Sequence, residues 1–419
     1  MTVIGLDDTD SRERGMCTTF AAVSVAEALR RRGAALEGLF LVRLNPAVKH
    51  KTRGNAALAV HTDARPEAAF GIASEVVDEF AEVGDERTNP GLVIGTEPIP
   101  DFVAAFARDA ITEIHDVEDA IEYIERAGFE RAGWKNGRGQ IGALAAVGAA
   151  EAFDEWTYEY IAYREPKRWG TPRDVDEASV FEAADRYYPA AWDTVDRGED
   201  EPVCVPNAPG PILYGIRGDE PRAVAGVSAG IESEPIHRRA LFLTNQGTDA
   251  HVREADVDAV EDDRAYRVRG TVATAPETRD GGHVFFAIEG DSGTLPCVAF
   301  EPTKRFRDNV RNLREGDVVT AVGEVAGGTL KLEKFAVRSL DRVGYRTPTC
   351  LACGTRMESG GADQGYRCRD CGTSAPGKER VTVDRELELG WYEVPPCARR
   401  HVAKPLIRGG FDAPIHPER

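Results

Sequence analysis

Thr2-Val3-Ile4-Gly5-Leu6 runs directly into Asp7-Asp8-Thr9-Asp10-Ser11. The apolar run predicts a buried strand, and the acidic cluster marks its end. Gly15-Met16-Cys17-Thr18-Thr19 follows, and then an apolar run from Phe20 to Leu29 with helical spacing. Three carboxylates at a strand end are hard oxygen ligands of the kind Mg²⁺ prefers. A glycine and two hydroxyl residues opening a helix offer backbone N–H groups and a positive dipole end to phosphate. Side by side, these features suggest phosphoryl or nucleotidyl chemistry on a nucleotide. Asp, Ser and Thr also favour helix caps, so a solvated acidic turn is the competing reading of this segment taken alone.

Working outward, the first hundred residues read strand, helix, strand, strand, helix, strand. The strands are 2–6, 38–44, 56–62 and 91–96, and the helices are 19–32 and 66–83. That βαββαβ order is the ferredoxin-like pattern. Amphipathic helices over 102–110 and 117–127 come next, then the glycine-rich loop Trp134-Lys135-Asn136-Gly137-Arg138-Gly139. Helix 143–152 has too few polar residues for a surface helix and is expected to be buried. A second βαββαβ order follows, with strands at 158–163, 202–206, 212–217 and 239–244 and helices at 175–187 and 221–230.

From about residue 265 the texture changes to short alternating strands broken by glycine, at 266–274, 283–289, 294–300, 318–324 and 329–332, with a helical insert at 303–312. Five such strands match an OB-fold barrel, a fold that binds oligonucleotides. Tyr266, Phe285, Phe286, Phe300 and Phe306 would stack on RNA bases where they face outward. Cys350-x₂-Cys353 and Cys368-x₂-Cys371, fourteen residues apart and each followed by glycine, predict a closed Cys₄ structural zinc site. A redox dithiol is the alternative, and two matched knuckles are more than it needs. Cys204 and Cys297 lie in apolar runs and read as packing residues.

At 419 residues the chain holds several domains. The division expected is 1–150 (kinase-like catalytic domain with a βαββαβ start), 151–262 (ferredoxin-like), 263–342 (OB-fold) and 346–419 (zinc ribbon with a basic C-terminal segment). The class is therefore multidomain α+β: a kinase-like catalytic domain with ferredoxin-like modules, an OB-fold β-barrel and a zinc ribbon. No apolar stretch approaches the roughly 18 residues of a membrane span, and no signal-peptide pattern precedes Asp7 and Asp8, so a cytoplasmic location is expected. The net charge of −19 is opposite to the usual basic footprint of a nucleic-acid binder. Positive charge is concentrated locally instead, at Arg30–Arg32, Lys49–Arg53, Lys304–Arg307 and Arg399–Lys404, so global charge speaks to solubility and does not choose the partner.

Several of these runs together resemble one family. The stretches 4–11 and 15–19, Lys51-Thr52-Arg53-Gly54-Asn55-Ala56, Asn136–Ala146, Trp169-Gly170-Thr171-Pro172-Arg173, Tyr214–Gly218 and Thr244–His251 are similar to the archaeal tRNA(Ile) 2-agmatinylcytidine synthetases, and the OB and ribbon ends follow in the family's order. The resemblance covers essentially the whole chain. It implies an ATP- and Mg²⁺-dependent ligase that attaches agmatine to C2 of the wobble cytidine in the CAU anticodon of isoleucine tRNA, through a phosphorylated cytidine, with release of AMP and two phosphates. The product, agmatidine, pairs with A. Asp7, Asp8 and Asp10 would bind Mg²⁺. Catalysis would rest on these with Thr18 (the position autophosphorylated in the family), Lys135 and Arg138. Nucleotide would be held by Gly15, Cys17, Thr19, Arg53, Asn136, Gly137 and Gly139. Tyr214, Asp219 and Asp249 are the candidates for agmatine, although surface charge is the simpler reading of each Asp in so acidic a chain. The basic run Arg399–Lys404 and the ribbon would grip tRNA; no protein partner is inferable. Met16 departs from the second glycine expected in the phosphate loop. Two other classes remain open: a non-catalytic OB and zinc-ribbon binding protein, and a small-molecule kinase with accessory domains.

Overall fold

The computed structural model describes residues 1–49, 51 and 54–419. Its first half is one nine-stranded sheet assembled from two ferredoxin-like units. In the first unit the chain runs β1 (Thr2–Asp7), α1 (Thr18–Arg31), β2 (Leu36–Arg43), β3 (Ala56–Thr62), α2 (Pro66–Phe80) and β4 (Gly91–Thr96). These strands lie in the order β4-β1-β3-β2 with every neighbour antiparallel, the split βαβ arrangement. Helices α3 (Asp101–Ala110) and α4 (Val117–Ala127), a short edge strand β5 (Glu130–Gly133) and α5 (Gln140–Ala152) complete it.

The sheet is covered on both faces, which explains why its strands read as nearly continuous apolar runs. Ile4 and Leu6 pack with α1 and α2, whereas Val3 packs with α3, α4 and α5. Helix α5 lies unusually close: an added Cβ on Gly5 would stand 2.0 Å from the Ala143 carbonyl oxygen, and one on Gly91 would stand 2.0 Å from the Gln140 nitrogen. Only glycine permits that approach.

The second unit contains β6 (Thr157–Arg164), α6 (Glu177–Tyr187), β7 (Ala191–Trp192), β8 (Ile212–Gly218), α7 (Pro221–Gly230) and β9 (Ile236–Thr244). Its order, β9-β6-β8-β7, repeats the first. The two units meet where β2 runs parallel to β9, Phe40 opposite Leu243 and Leu41 opposite Thr244. The strand expected at 202–206 is a series of turns, in which the Val205 N–H reaches the Pro202 carbonyl at 3.1 Å. Two prolines remove ladder donors there, and the two-residue β7 takes the place in the sheet. Edge strand β5 had no apolar pattern by which to announce itself.

After β10 (Val252–Ala255), the barrel strands are β11 (Arg264–Thr278), β12 (Val284–Glu289), β13 (Thr294–Ala299), β14 (Val318–Ala326) and β15 (Thr329–Ser339), with α8 (Phe306–Arg311) before β14. Pairing β11–β12–β13–β15–β14 and back to β11 closes the OB-fold. Tyr266, Phe286 and Phe306 belong to its core and are no stacking platforms; Phe300 is exposed, and Phe285 lies under the Arg279 guanidinium at 4.4 Å. The ribbon follows on a two-stranded stalk, Val343–Arg346 against Glu379–Thr382, after which Gly390–Glu393 rejoins the barrel beside β15. No helix among the described residues is long and apolar enough to cross a membrane.

Candidate active site

The end of β1 is a tightly organised turn. Asp8 takes φ 58°, a left-handed conformation that Asp tolerates better than most residues, and its N–H bonds the Asp7 carboxylate at 2.7 Å. Ser11 closes the following loop: its N–H donates to the Gly15 carbonyl, and its Oγ donates to Asp85 while accepting from the N–H groups of Glu13 and Arg14. Gly15 and Met16 are successive left-handed residues, with φ 92° and 60°. Met16 substitutes for a second glycine because its side chain, 5% exposed, is anchored in the core under α1. Cys17 then starts α1 without a side-chain cap. The first-turn N–H groups at Thr18 and Thr19 therefore open toward the turn. The Thr18 hydroxyl meets Thr9 Oγ1 at 3.1 Å.

The glycine-rich loop lies beside this turn. Lys135 and Gly137 are left-handed, and Arg138 extends to Asp8, Nη2 to Oδ2 at 2.9 Å, while also donating to the Arg87 carbonyl. Asp8 Oδ2 further accepts the Asn89 N–H at 3.1 Å. Gly139 and Gly142 bring α5 against β1; an added Cβ on Gly142 would stand 2.0 Å from Asp7 Oδ2. The Asp7 carboxylate thus sits at the positive end of α5.

These parts enclose a cavity of about 590 Å³. Asp7, Asp8, Asp10, Cys17, Thr18, Thr19, Asn136, Arg138 and Gly139 all line it. Gly15, Lys135 and Gly137 do not: Gly15 packs against Gly210, Lys135 Nζ is tied to the Asp85 carbonyl at 2.6 Å, and Gly137 turns the loop. Arg53 lies outside the described residues.

Burial and the neighbouring Asp8 push the Asp7 carboxyl well above the usual carboxylate range. Burial raises Asp8 too, against the opposing pull of Arg138. Asp7 and Asp8 are adjacent carboxylates beside the Arg138 guanidinium, and carboxylate oxygens are the donors a hard divalent cation takes.

The far wall comes from residues that sequence reasoning missed. Glu159 on β6 accepts from Gln246 Nε2, and Gln246 Oε1 accepts the Arg43 Nε–H at 3.1 Å. Gly215 on β8 leaves room for the Glu159 carboxylate, 2.7 Å from where a Cβ would stand. Glu113, His115 and Asp116, from the turn between α3 and α4, close another side. The available signals were the runs around Gly215 and Gln246, which act at this wall through those two residues and not through Tyr214 or Asp249.

Tyr214, Asp219 and Asp249 lie elsewhere. The Tyr214 ring is fully buried behind the sheet, with its hydroxyl on the Ser228 carbonyl at 3.1 Å. Asp219 is occupied by Trp192 Nε1 and Arg408 Nε, at 3.0 and 2.7 Å. Asp249 binds the buried Lys334 ammonium at 2.7 Å and the Lys404 N–H at 2.7 Å, joining barrel and C-terminal segment. Arg399, expected on a basic surface, is 7% exposed and paired with Asp193 and Glu393.

A second site is separate. The Sγ atoms of Cys350, Cys353, Cys368 and Cys371 lie within 4.8 Å of one another, and no disulfide joins them. Each glycine knuckle folds back, Gly354 N–H to the Cys350 carbonyl and Gly372 N–H to the Cys368 carbonyl. Backbone N–H groups at Ala352 and Cys353 draw the Cys350 thiol down to about 6. Four converging thiols with no open side suit a tetrahedral structural zinc.

Family models match the TiaS TCKD domain at residues 3–136, the TiaS FLD domain at 137–251, an OB-fold nucleic acid binding domain at 266–328 and the TiaS C-terminal zinc ribbon domain at 347–387. The chain is 54% identical to TiaS, the isoleucine-tRNA 2-agmatinylcytidine synthetase of Haloquadratum walsbyi, with 100% of both chains covered. It belongs to the TiaS family. The fold is similar to that in the crystal structure of TiaS in complex with its isoleucine tRNA and ATP, with TM-score 0.92 and 42% identity over 100% of this chain and 99% of that one. The complex of TiaS with the same tRNA, AMPCPP and agmatine is likewise similar, with TM-score 0.89, 40% identity and the same coverage. The first two TiaS domain models meet between residues 136 and 137, inside the loop that carries Arg138 to Asp8.

Proposed function

We propose that this chain is the ATP-dependent ligase of the cytoplasm that joins agmatine to C2 of the wobble cytidine of isoleucine tRNA with anticodon CAU. The observation that carries the reading is the cavity where the β1 carboxylates, the start of α1 and Arg138 meet, in a chain matching the TiaS–tRNA–ATP complex over its whole length. A pyrimidine carbonyl oxygen is a poor leaving group until it is phosphorylated. Phosphorylation of O2 makes it one; the agmatine amine then attacks C2, the C2–O bond breaks and phosphate departs. One of the two phosphates carries away the C2 oxygen, and the second phosphoanhydride bond of ATP is cleaved by water, so that ATP is converted to AMP and two phosphates.

The residues divide this work. Thr18, Thr19 and the amide groups at the start of α1 face phosphate, and Arg138 adds a guanidinium on the same side. Asp7, Asp8 and Asp10 would hold Mg²⁺, which supplies charge neutralisation to the transferred phosphoryl group. Glu159, kept in place by Gln246, is a carboxylate on the far wall of the cavity and suits a cationic amine substrate. The four thiols of the ribbon hold zinc for structure. A binding-only module needs no such cavity, and a small-molecule kinase has no use for the OB-fold and ribbon.

Incubation with ATP, Mg²⁺, labelled agmatine and unmodified isoleucine tRNA tests the proposal. Label on the first anticodon nucleotide together with AMP is the expected result. ATP cleavage that proceeds equally without tRNA would transfer the assignment to a small-molecule kinase.

A further inference from the structure

A second groove, about 460 Å³, continues from the catalytic cavity and shares Arg43, Val48, Lys51, Gly54 and His401 with it. One side is residues 46–49, Lys51 and Gly54, and the other is Glu324 of β14, Lys331 of β15 and Arg400 of the C-terminal segment. Its charge is opposite to that of the protein. Among the described residues Lys49, Lys51, Lys331 and Arg400 line it, against one carboxylate, Glu324. Lys331 and Arg400 share Glu324, Arg400 also reaches Glu333 at 3.0 Å, and Lys49 stands 3.8 Å from Asp263. The Lys51 ammonium donates to the Pro46 carbonyl and feels Glu324 through space. Burial, and then the nearby Arg400, draw the Lys51 ammonium below the usual lysine range. Arg12 donates to the Lys51 carbonyl at 3.2 Å and adds to the positive field. Cations gathered this closely repel one another in the free protein, and a polyanion laid among them relieves that repulsion.

We propose that this groove carries the sugar–phosphate backbone of the nucleotides flanking the one seated in the catalytic cavity, with Lys49, Lys51 and Lys331 on its phosphates. The inference rests on the tRNA-modifying reading above. The groove opens directly from the cavity wall, so a strand whose base enters the cavity leaves through it. Phosphate contacts fix register without reading sequence, which is the task at this position. The triphosphate of ATP offers the same chemistry, and the assay separates the two sources.

Lys49 is 79% exposed and Lys331 31%, so Lys49→Gln with Lys331→Gln removes two cations without opening the core. Arg30→Gln, on the exposed end of α1, serves as a matched loss of surface charge. Affinity for the isoleucine tRNA is measured against salt, with steady-state kinetics for tRNA and ATP. The double variant is expected to bind tRNA about five- to tenfold more weakly and to lower the log K against log salt slope by about 1.4, roughly 0.7 per single-strand contact. The KM for tRNA rises, while kcat and the KM for ATP stay within about twofold. Arg30→Gln changes none of these. An unchanged slope and tRNA affinity, or a rise confined to the KM for ATP, overturns the groove assignment while the wild-type reaction stands. Wild-type protein that neither binds nor modifies the tRNA instead overturns the functional reading beneath it.

Discussion

Gly142→Ala adds one methyl group at the point where α5 meets β1. Its Cβ would stand 2.0 Å from Asp7 Oδ2, 2.7 Å from Asp7 Cγ and 2.9 Å from Leu44 Cδ1. Reaching even the tightest ordinary contact, near 3.0 Å, requires a shift of about 1 Å in the carboxylate or the helix. Helix α5 has little freedom, since Gly5, Gly91 and Gly139 already hold it against backbone atoms, so the Asp7 side chain must yield. Overpacking costs about 1–3 kcal/mol, and alanine returns about 1 kcal/mol of helix propensity. Net destabilisation is therefore about 0–2 kcal/mol. A 1 Å displacement of a reacting group lowers rate by about 10²-fold, equivalent to about 2.7 kcal/mol of barrier. The informative control is Gly71→Ala on α2, where nothing lies within 4 Å of the new Cβ; it gains about 1 kcal/mol and leaves activity alone. Single-turnover agmatine transfer, read beside thermal unfolding, separates the two effects. A folded Gly142→Ala protein with the wild-type rate would refute the placement of Asp7 in catalysis.

Three further outcomes follow from the packing. Arg164→Leu breaks a fully buried bidentate pair with Glu234, at 2.7 and 2.8 Å, and frees the Thr171 and Pro172 carbonyls. The buried carboxylate, left with Arg168 at 3.8 Å and the Asp174 N–H at 3.1 Å, should cost about 3 kcal/mol in denaturant titration, and Arg164→Leu with Glu234→Leu should recover a large part of it; equal losses in both variants would contradict this. His251, 1% exposed and bonded to the Arg43 carbonyl, is drawn down to about 4 by burial. The unfolded chain binds this proton below the ordinary histidine value near 6.5, so the stability held above that pH, about 3 kcal/mol, falls away between about pH 6.5 and 4. His251→Gln should flatten that part of the stability–pH curve, and an unchanged curve would exclude the residue. Cys353→Ser should release the bound zinc, measured by a chromogenic chelator, and leave the unfolding of the cavity domain unchanged, because the ribbon hangs on a two-stranded stalk; simultaneous loss of both would show the ribbon to be part of the core.

The two βαββαβ orders, the barrel and the Cys₄ cluster were legible because each has a periodic or spaced signature. Helices α1 and α5 were found within a few residues of their ends for the same reason. Strand β7 escaped because two residues carry no period, and the prolines at 202 and 206 drew attention to a neighbouring turn. Asp7, Asp8, Asp10 and Arg138 stood out as polar groups next to glycines, and all four line the cavity. Glu159 and Arg43 did not, since a lone charge in a strand looks like any solvated residue until the sheet places it. Tyr214 and Asp249 are placed outside the cavity lining. The Tyr214 side chain faces the core, and the left-handed turn at Asp249, φ 60°, directs the carboxylate to Lys334.

The cavity has walls from both ferredoxin-like units, and hydrogen bonds join the two units beside it. The two ladder pairs that join β2 to β9 stop at Leu41 and Thr244. One step on, the Asn245 side chain takes over the role of a strand, accepting the Arg43 N–H at 2.8 Å and donating to the Arg43 carbonyl at 3.1 Å. Arg43 is meanwhile paired with Ala56 of β3 on its other side. Its backbone is thus held from both edges, and its guanidinium is aimed through Gln246 toward Glu159. A residue fixed in this way ties the register of one sheet half to the other. The carboxylates at the end of β1 and Glu159 on β6 therefore face each other across a distance set by continuous hydrogen bonding. That rigidity suits a reaction in which a phosphorylated intermediate must meet an amine before water does.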